Sequence, residues 1–199
     1  MEKSFVKAMQ DRRTIYAIGS EQIVTPERVV EIVETAVKYV LSACFCQSQK
    51  VAVLFGERHL KLWSIVVETL RKIVSPAKMP PTEERIQGFA AGYGTILYFD
   101  DTAITESFAA QFPLYKNLFP DWANHANGML QFAIWSLLEA EGLGASLQHY
   151  NPIIDAGVHE EFQIPTSWKL IAQMPFGKPL APADEKTFAE LSSRIRVIK

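Results

Sequence analysis

Apolar residues fall at Val29, Val33, Ala36, Val37 and Val40, a helical stripe, with Glu27, Glu31, Glu34 and Lys38 largely opposite. In front of it, Thr25-Pro26-Glu27 reads as a helix start: a hydroxyl N-cap, proline at the first helical position and an acid at the positive end. The same periodicity predicts helices over Lys3 to Asp11 (on Phe5, Ala8 and Met9), Glu57 to Val74, Pro81 to Ala91, Asp101 to Gln111, Pro152 to Phe162 and Asp184 to Leu191. Short apolar runs at Lys50 to Gly56 (KVAVLFG) and Thr95 to Phe99 (TILYF) predict buried strands. Ala145 to Tyr150 and the alternating Trp168 to Met174 (WKLIAQM) predict two more, and Arg194 to Lys199 an extended tail. The stretch Asp121 to Glu141 differs from the rest. Between Gly128 and Leu138 only Gln131 and Ser136 are polar, so this helix must be covered on every side, in a large core or at a subunit interface. Gly142-Leu143-Gly144 stops it. Helices outnumber strands, and most strands lie far from the next. The expectation is a single α+β domain over residues 1–199, helices around a central sheet.

Composition changes this picture little. A chain of 199 residues, 48% hydrophobic and 21% charged, can fold as one domain without disulfides or a structural metal. A net charge of −2 gives no sign of a nucleic-acid-binding surface. No window offers the roughly 18 apolar residues of a membrane span, and Met1 to Arg13 has no signal-like apolar core. The two cysteines, Cys44 and Cys46, are read as reduced thiols, buried rather than redox-active, in a cytoplasmic protein.

Several chemistries have no readable motif: there is no P-loop, no G-x-G-x-x-G, no G-x-S-x-G and no HExxH. The four histidines stand at no metal-ligand spacing, so no metal is expected, and His59 and His159 are expected to be solvated. An organic cofactor is then the natural carrier of difficult chemistry. Three segments could meet an anionic one. Arg12-Arg13-Thr14 with Tyr16 offers two guanidiniums and hydroxyls suited to phosphate; alternatively it is a solvated helix end. Ser42-Ala43-Cys44-Phe45-Cys46-Gln47-Ser48 is a small, polar loop that could present backbone and amide groups to a ligand, or a plain connection. In the tail, Arg194 and Arg196 share a face of extended chain and could grip one phosphate, or fray as a basic terminus.

Taken together these segments resemble the nitroreductase-like FMN-dependent oxidoreductases, and most of all the subgroup of the yeast fatty-acid-repression protein and the bacterial nitro and quinone reductases. The resemblance rests on RRTIY (Arg12 to Tyr16), SAxxxQS (Ser42 to Ser48), AGYGTILYFDD (Ala91 to Asp101), the long block WANHANGMLQFAIWSLLEAEGLGASLQHYNPIID (Trp122 to Asp155) and MPFGKP (Met174 to Pro179), in family order. It implies a nitroreductase-like α+β fold with a mostly antiparallel sheet and an intertwined homodimer, the tail from about residue 184 packing on the partner subunit, and FMN in clefts at the interface. On that basis Arg12 and Thr14, beside Arg13 and Tyr16, would meet the FMN phosphate, with Arg194 and Arg196 clamping it. Ser42, Ala43 and Gln47 would reach the flavin from the partner subunit, and Gln148 and His149 would lie beside its ring. One departure stands out. The subgroup usually reads SAFNSQ where this chain has Phe45 and Cys46, so one hydrogen bond to the flavin is missing or the loop shifts.

The activity this implies is ping-pong hydride transfer from NADH or NADPH, through FMN, to a nitroaromatic, quinone or similar flat electrophile. No side-chain acid or base is required, so no catalytic residue is named. Tyr93, His125 and Asn127 are expected at the substrate pocket because they interrupt apolar stretches, although hydrogen-bonded structural roles fit them as well. Trp63, Trp122, Trp135 and Trp168 are read as core or interface. Two rivals remain: a flavin-binding regulatory or storage protein with little turnover, and a same-fold enzyme of other flavin chemistry.

Overall fold

In the computed structural model, which describes residues 3–199, the elements run α1 (Phe5–Asp11), β1 (Ile18–Gly19), α2 (Pro26–Tyr39), β2 (Gln49–Phe55), α3 (Gly56–Leu70), α4 (Met79–Ala90), β3 (Gly94–Asp101), α5 (Thr102–Gln111), α6 (Phe119–Ala140), β4 (Gly144–Ala145), α7 (Asp155–Phe162) and β5 (Trp168–Pro179). The sheet order is β1-β5-β3-β2, with β4 also on β5, and every strand pair is antiparallel. β3 and the second half of β5 are buried along nearly their whole length, which explains why both read as apolar runs. On one side of the sheet, α2 and α6 bury Val29, Val33, Leu130, Ile134 and Leu138 against Ile96, Tyr98 and Met174. On the other, α3, α4 and α7 bury Leu62, Trp63, Ile86, Phe89 and Val158 against Leu97, Phe99 and Leu170. This is the expected nitroreductase-like α+β architecture.

Local signals account for most boundaries. Thr25 caps α2, its hydroxyl accepting the Arg28 N–H at 3.2 Å, and Ser4 caps α1 in the same way. α4 starts earlier than expected, at Met79, because Pro80 and Pro81 sit in its first turn, where proline lacks no hydrogen bond the helix needs. α3 ends at Leu70 rather than Val74.

Other expectations are corrected. The segment Asp184 to Leu191 is not helical; a short turn at Leu191–Ser193 is all the regular structure it has. A helix this short needs an apolar face buried against something, and Phe188 and Leu191 lie exposed. The strand predicted over Ala145 to Tyr150 is only Gly144–Ala145 with one bridge, Gln148 to Gln173. The helix expected from Pro152 begins at Asp155. α6 is not covered on every side by its own chain: Met129 and Phe132 are exposed, as is Gly128 between its two neighbouring turns. Val37, expected on the buried stripe of α2, is exposed, and Ile32 takes its place. Among the described residues no helix is long and apolar enough to cross a membrane.

Candidate functional site

The end of α1 sets the site's first wall. Lys3 binds both Asp11, at 3.2 Å, and Glu139, tying the helix to α6. The following residue, Arg12, lays its guanidinium over the Trp135 ring of α6, 4.5 Å from the centroid. Its Nε is buried and has no hydrogen-bond partner among the described residues. Burial, and then the charge of Arg13, push the Arg12 guanidinium below its usual range. Two adjacent cations, one desolvated and with a donor unspent, are an arrangement that an anion would complete. Arg13 donates to the Asp184 carbonyl, fastening the root of the tail to the same corner.

From there the chain runs beside β4. Ile15 N–H donates to Ala145 O at 2.9 Å, and Thr14 bridges Ala145 in parallel. Gly144 permits this approach, since a Cβ there would meet the Ile15 Cβ at 3.0 Å. Tyr16 then reaches a cavity of about 490 Å³ that it lines with Ala17, Arg85, Gly88, Phe89 and Gln148. Gln148 is held by its N–H to Gln173 O at 2.7 Å and by its side chain to Ser146 at 3.0 Å. So the structure brings Tyr16 and Gln148 to one cavity, at the end of the segment that carries Arg12, Arg13 and Thr14. His149, the next residue, is exposed.

The other expected residues lie elsewhere on the protomer. Ser42 is buried, and its hydroxyl accepts the Gln47 N–H at 2.9 Å, closing the loop on itself. Inside that closure Cys44, Phe45 and Gln47 all take left-handed φ, +52° to +55°, a conformation that costs residues other than glycine about 1–2 kcal/mol each. Gln47 lines a hollow between α2 and β2 with Phe45 and Trp168. Ala43 shares a smaller one, about 340 Å³, with Cys44, Trp122, His125 and Met129. Cys44 is therefore exposed, and Cys46 half-buried; neither is the buried thiol expected. Arg194 and Arg196 stand on the exposed tail.

Of the expected substrate residues, His125 is exposed and lines the Ala43 hollow. Tyr93 packs edge-on against Phe176 and its hydroxyl is buried without a partner; burial, and then the charge of Glu27, raise its pKa. Asn127 takes the second of its two expected roles, a hydrogen-bonded structural one. It is 1% exposed, donates to Phe99 O at 3.0 Å and accepts from Gln131 at 2.7 Å, so both ends of its amide are committed to tying α6 to β3. His59 is a correction: it is buried, not solvated. His159 is half-buried, its Nδ1 3.1 Å from Ile164 O. Among the described residues no group of three or more His, Cys, Asp or Glu could hold a metal.

Sequence reasoning missed the α4 wall. Pro81, Glu84, Arg85, Gly88 and Phe89 line the main cavity, and Arg85 is near enough to Tyr150 for its charge to oppose the burial that raises that phenol's pKa. The one available signal was the PPTEERIQGFA pattern itself, in which Arg85, Gly88 and Phe89 fall three to four apart and so share a helix face.

Comparison with known proteins supplies the family. The chain matches the Nitroreductase family over residues 9–178. It is 38% identical over 188 residues to HBN1 of Saccharomyces cerevisiae and 32% identical over 187 residues to the nitroreductase FRM2 of the same yeast, with 93% of both chains covered in each case. The nitroreductase CinD of Lactococcus lactis, solved with nicotinic acid, superposes with a TM-score of 0.91 at 41% identity, over 98% of this chain and 100% of that one. Its complex with 4-nitrophenol gives 0.90 at 40%, with the same coverage.

Proposed function

This chain belongs to the nitroreductase family, and from that premise we propose that it is an FMN-dependent NAD(P)H oxidoreductase that reduces nitroaromatics, quinones or similar flat electrophiles. Oxidoreductase chemistry of the nitroreductase type follows from the family. The cofactor, the reductant and the acceptors are the proposal. The observation that carries it is Arg12: a guanidinium pressed onto Trp135, beside Arg13, with a buried Nε that finds no partner among the described residues. A phosphate ester is the group such a corner fits.

Arg12, with Arg13 and Thr14 beside it, would hold the FMN phosphate while Trp135 keeps water from one face of the guanidinium. Tyr16, Phe89 and Gln148 would frame the ring in the main cavity, and Arg85 would place positive charge at its wall, favouring negative charge that develops on the ring. When bound, FMN supplies the hydride relay between a nicotinamide and the acceptor. The protein's part is orientation, water exclusion and charge stabilisation, so no side-chain acid or base is named. His125 and Tyr93 are proposed at the acceptor's side.

We also propose that the working unit is a homodimer. Phe188, Leu191, Ile195, Val197 and Ile198 on the tail, Phe5 and Val6 on α1, and Met129 and Phe132 on α6 are exposed, apolar side chains that a second protomer would cover. In such a pair Ser42, Ala43 and Gln47 of one protomer, and Arg194 and Arg196 of its tail, would complete the flavin site of the other. The test begins with the visible spectrum of the purified protein. A yellow sample that releases FMN, elutes as a dimer and oxidises NADH or NADPH with menadione or a nitroaromatic supports the proposal. A colourless protein that ignores added FMN overturns it, and bound flavin that nicotinamide never reduces favours the storage rival.

A further inference from the structure

Behind the main cavity runs a closed chain of hydrogen bonds that the proposed chemistry does not use. Trp63 Nε1–H donates to Thr95 Oγ1 at 3.1 Å, the same oxygen lies 2.8 Å from His59 Nδ1, and His59 Nε2 lies 3.1 Å from Ala90 O. His59 is 2% exposed, Trp63 1% and Thr95 0%. A carbonyl can only accept, so Nε2 carries the ring proton and Nδ1 accepts the Thr95 hydroxyl proton. Every donor in the chain then has its acceptor.

The chain ends on the cavity wall. Ala90 closes α4, and the preceding Phe89 packs on Trp63, with ring centroids 5.1 Å apart, and on Tyr16 at 6.4 Å. Trp63 also meets Tyr150 edge-on, with ring centroids 6.1 Å apart, and Tyr150 is joined through Gln173 to Gln148. Trp63 thus supports both sides of the cavity. Gly88 and Phe89 face the main cavity, while Ala90, Gly92 and Tyr93 face a second hollow of about 390 Å³ that His59 also lines. Phe89 is itself 2% exposed, so its packing on Trp63 and the His59 bond to Ala90 O together fix where this stretch sits.

We infer that His59, acting through Thr95 and Trp63, is a positioning residue that sets the seat of the α4 wall and so the affinity of the cavity for the flavin ring. The inference rests on the flavin reading above. The experiment titrates FMN fluorescence quenching in apo-protein of the wild type, Thr95→Val, His59→Leu and His59→Gln, well below their melting temperatures. Thr95→Val and His59→Leu weaken FMN binding roughly tenfold, because the wall that frames the ring loses its seat. His59→Gln keeps a donor for Ala90 O and stays near wild type, a rescue that a loss of bulk packing would not give. If a folded Thr95→Val or His59→Leu binds FMN as tightly as the wild type, the inference is overturned. Should both fail to fold, Thr95→Cys, close in size but with only a weak donor and acceptor in place of the hydroxyl, decides by the same criterion. A wild type that binds no FMN would refute the proposed function instead.

Discussion

The corner around Arg12 and the tail that ends at Lys199 are both read as parts of one flavin site, yet they are built in opposite ways. The corner is assembled by its own chain. Lys3 ties α1 to α6, Trp135 underlies Arg12, and Ile15 is bonded to β4, so the guanidinium is held before any ligand arrives. From Asp184 onward every tail residue is exposed. The difference teaches which half of a composite site carries pre-organisation and which half gains its order from assembly. Binding to the corner costs little ordering entropy, whereas in the proposed dimer the tail would be ordered by a partner before its arginines act.

The largest effect that would break this comparison comes from deleting residues 184–199. Without the exposed apolar tail and its arginines, the protein is expected to elute as a monomer or weak dimer and to bind FMN more than about a hundredfold less tightly, since several charge-assisted contacts vanish together. Light scattering and flavin titration check it. A truncated protein that binds FMN normally would mean that the corner alone makes the site. Next comes Arg12→Met, which keeps contact with Trp135 and removes the charge. It should cost about 1.5–3 kcal/mol of FMN binding, roughly ten- to a hundredfold, while the dimer and melting temperature stay near wild type, because the Nε donor it removes is unpaired in the protomer. A large stability loss would show that Arg12 is structural.

How far the sequence showed this division depends on how local the signal is. Thr25-Pro26 marked α2 because capping is decided within one turn. The apolar Gly128 to Leu138 stretch announced more coverage than one protomer supplies, and the exposure of Met129 and Phe132 is consistent with that. RRTIY located the corner, but not the indole beneath it, because Arg12 and Trp135 meet only after the chain has crossed the sheet. The α4 wall and His59 were missed for the same reason. Nothing in the order of residues tells that Thr95 of β3 will stand against His59 and Trp63, one turn apart on α3. The tail failed differently: its apolar residues have helical spacing but no surface of their own chain to pack on.

A third, smaller effect sharpens the pre-organised side through pH. Burial depresses the pKa of His59 below its unfolded value of 6.5, so the unfolded chain takes up a proton first as the solution is acidified. The contribution of neutral His59 is therefore full above pH 6.5 and is lost as pH falls from there through the folded value. Melting temperature should drop over that interval in the wild type and drop less in His59→Gln. An equal fall in both would assign the acid sensitivity to other groups.

The smallest effect concerns the Ser42–Gln47 loop, which is local in sequence like the Arg12 corner but strained like neither region above. Phe45 sits at φ +55° and the residue is 74% exposed, where a bulky side chain gains little from burial and asparagine is far better tolerated. Phe45→Asn is expected to stabilise the protein by about 0.5 kcal/mol through relief of that conformation. If the loop of one protomer reaches the flavin of the other, the amide also adds a donor there, and FMN affinity rises a few-fold, within the roughly 0.5–1.5 kcal/mol of one net hydrogen bond. Denaturant unfolding reads the first change and flavin titration the second. A gain in stability with unchanged flavin affinity would confine the loop's role to its own backbone. A loss of stability would show that the Phe45 ring is covered in the assembled protein, which places this loop in the contact between protomers.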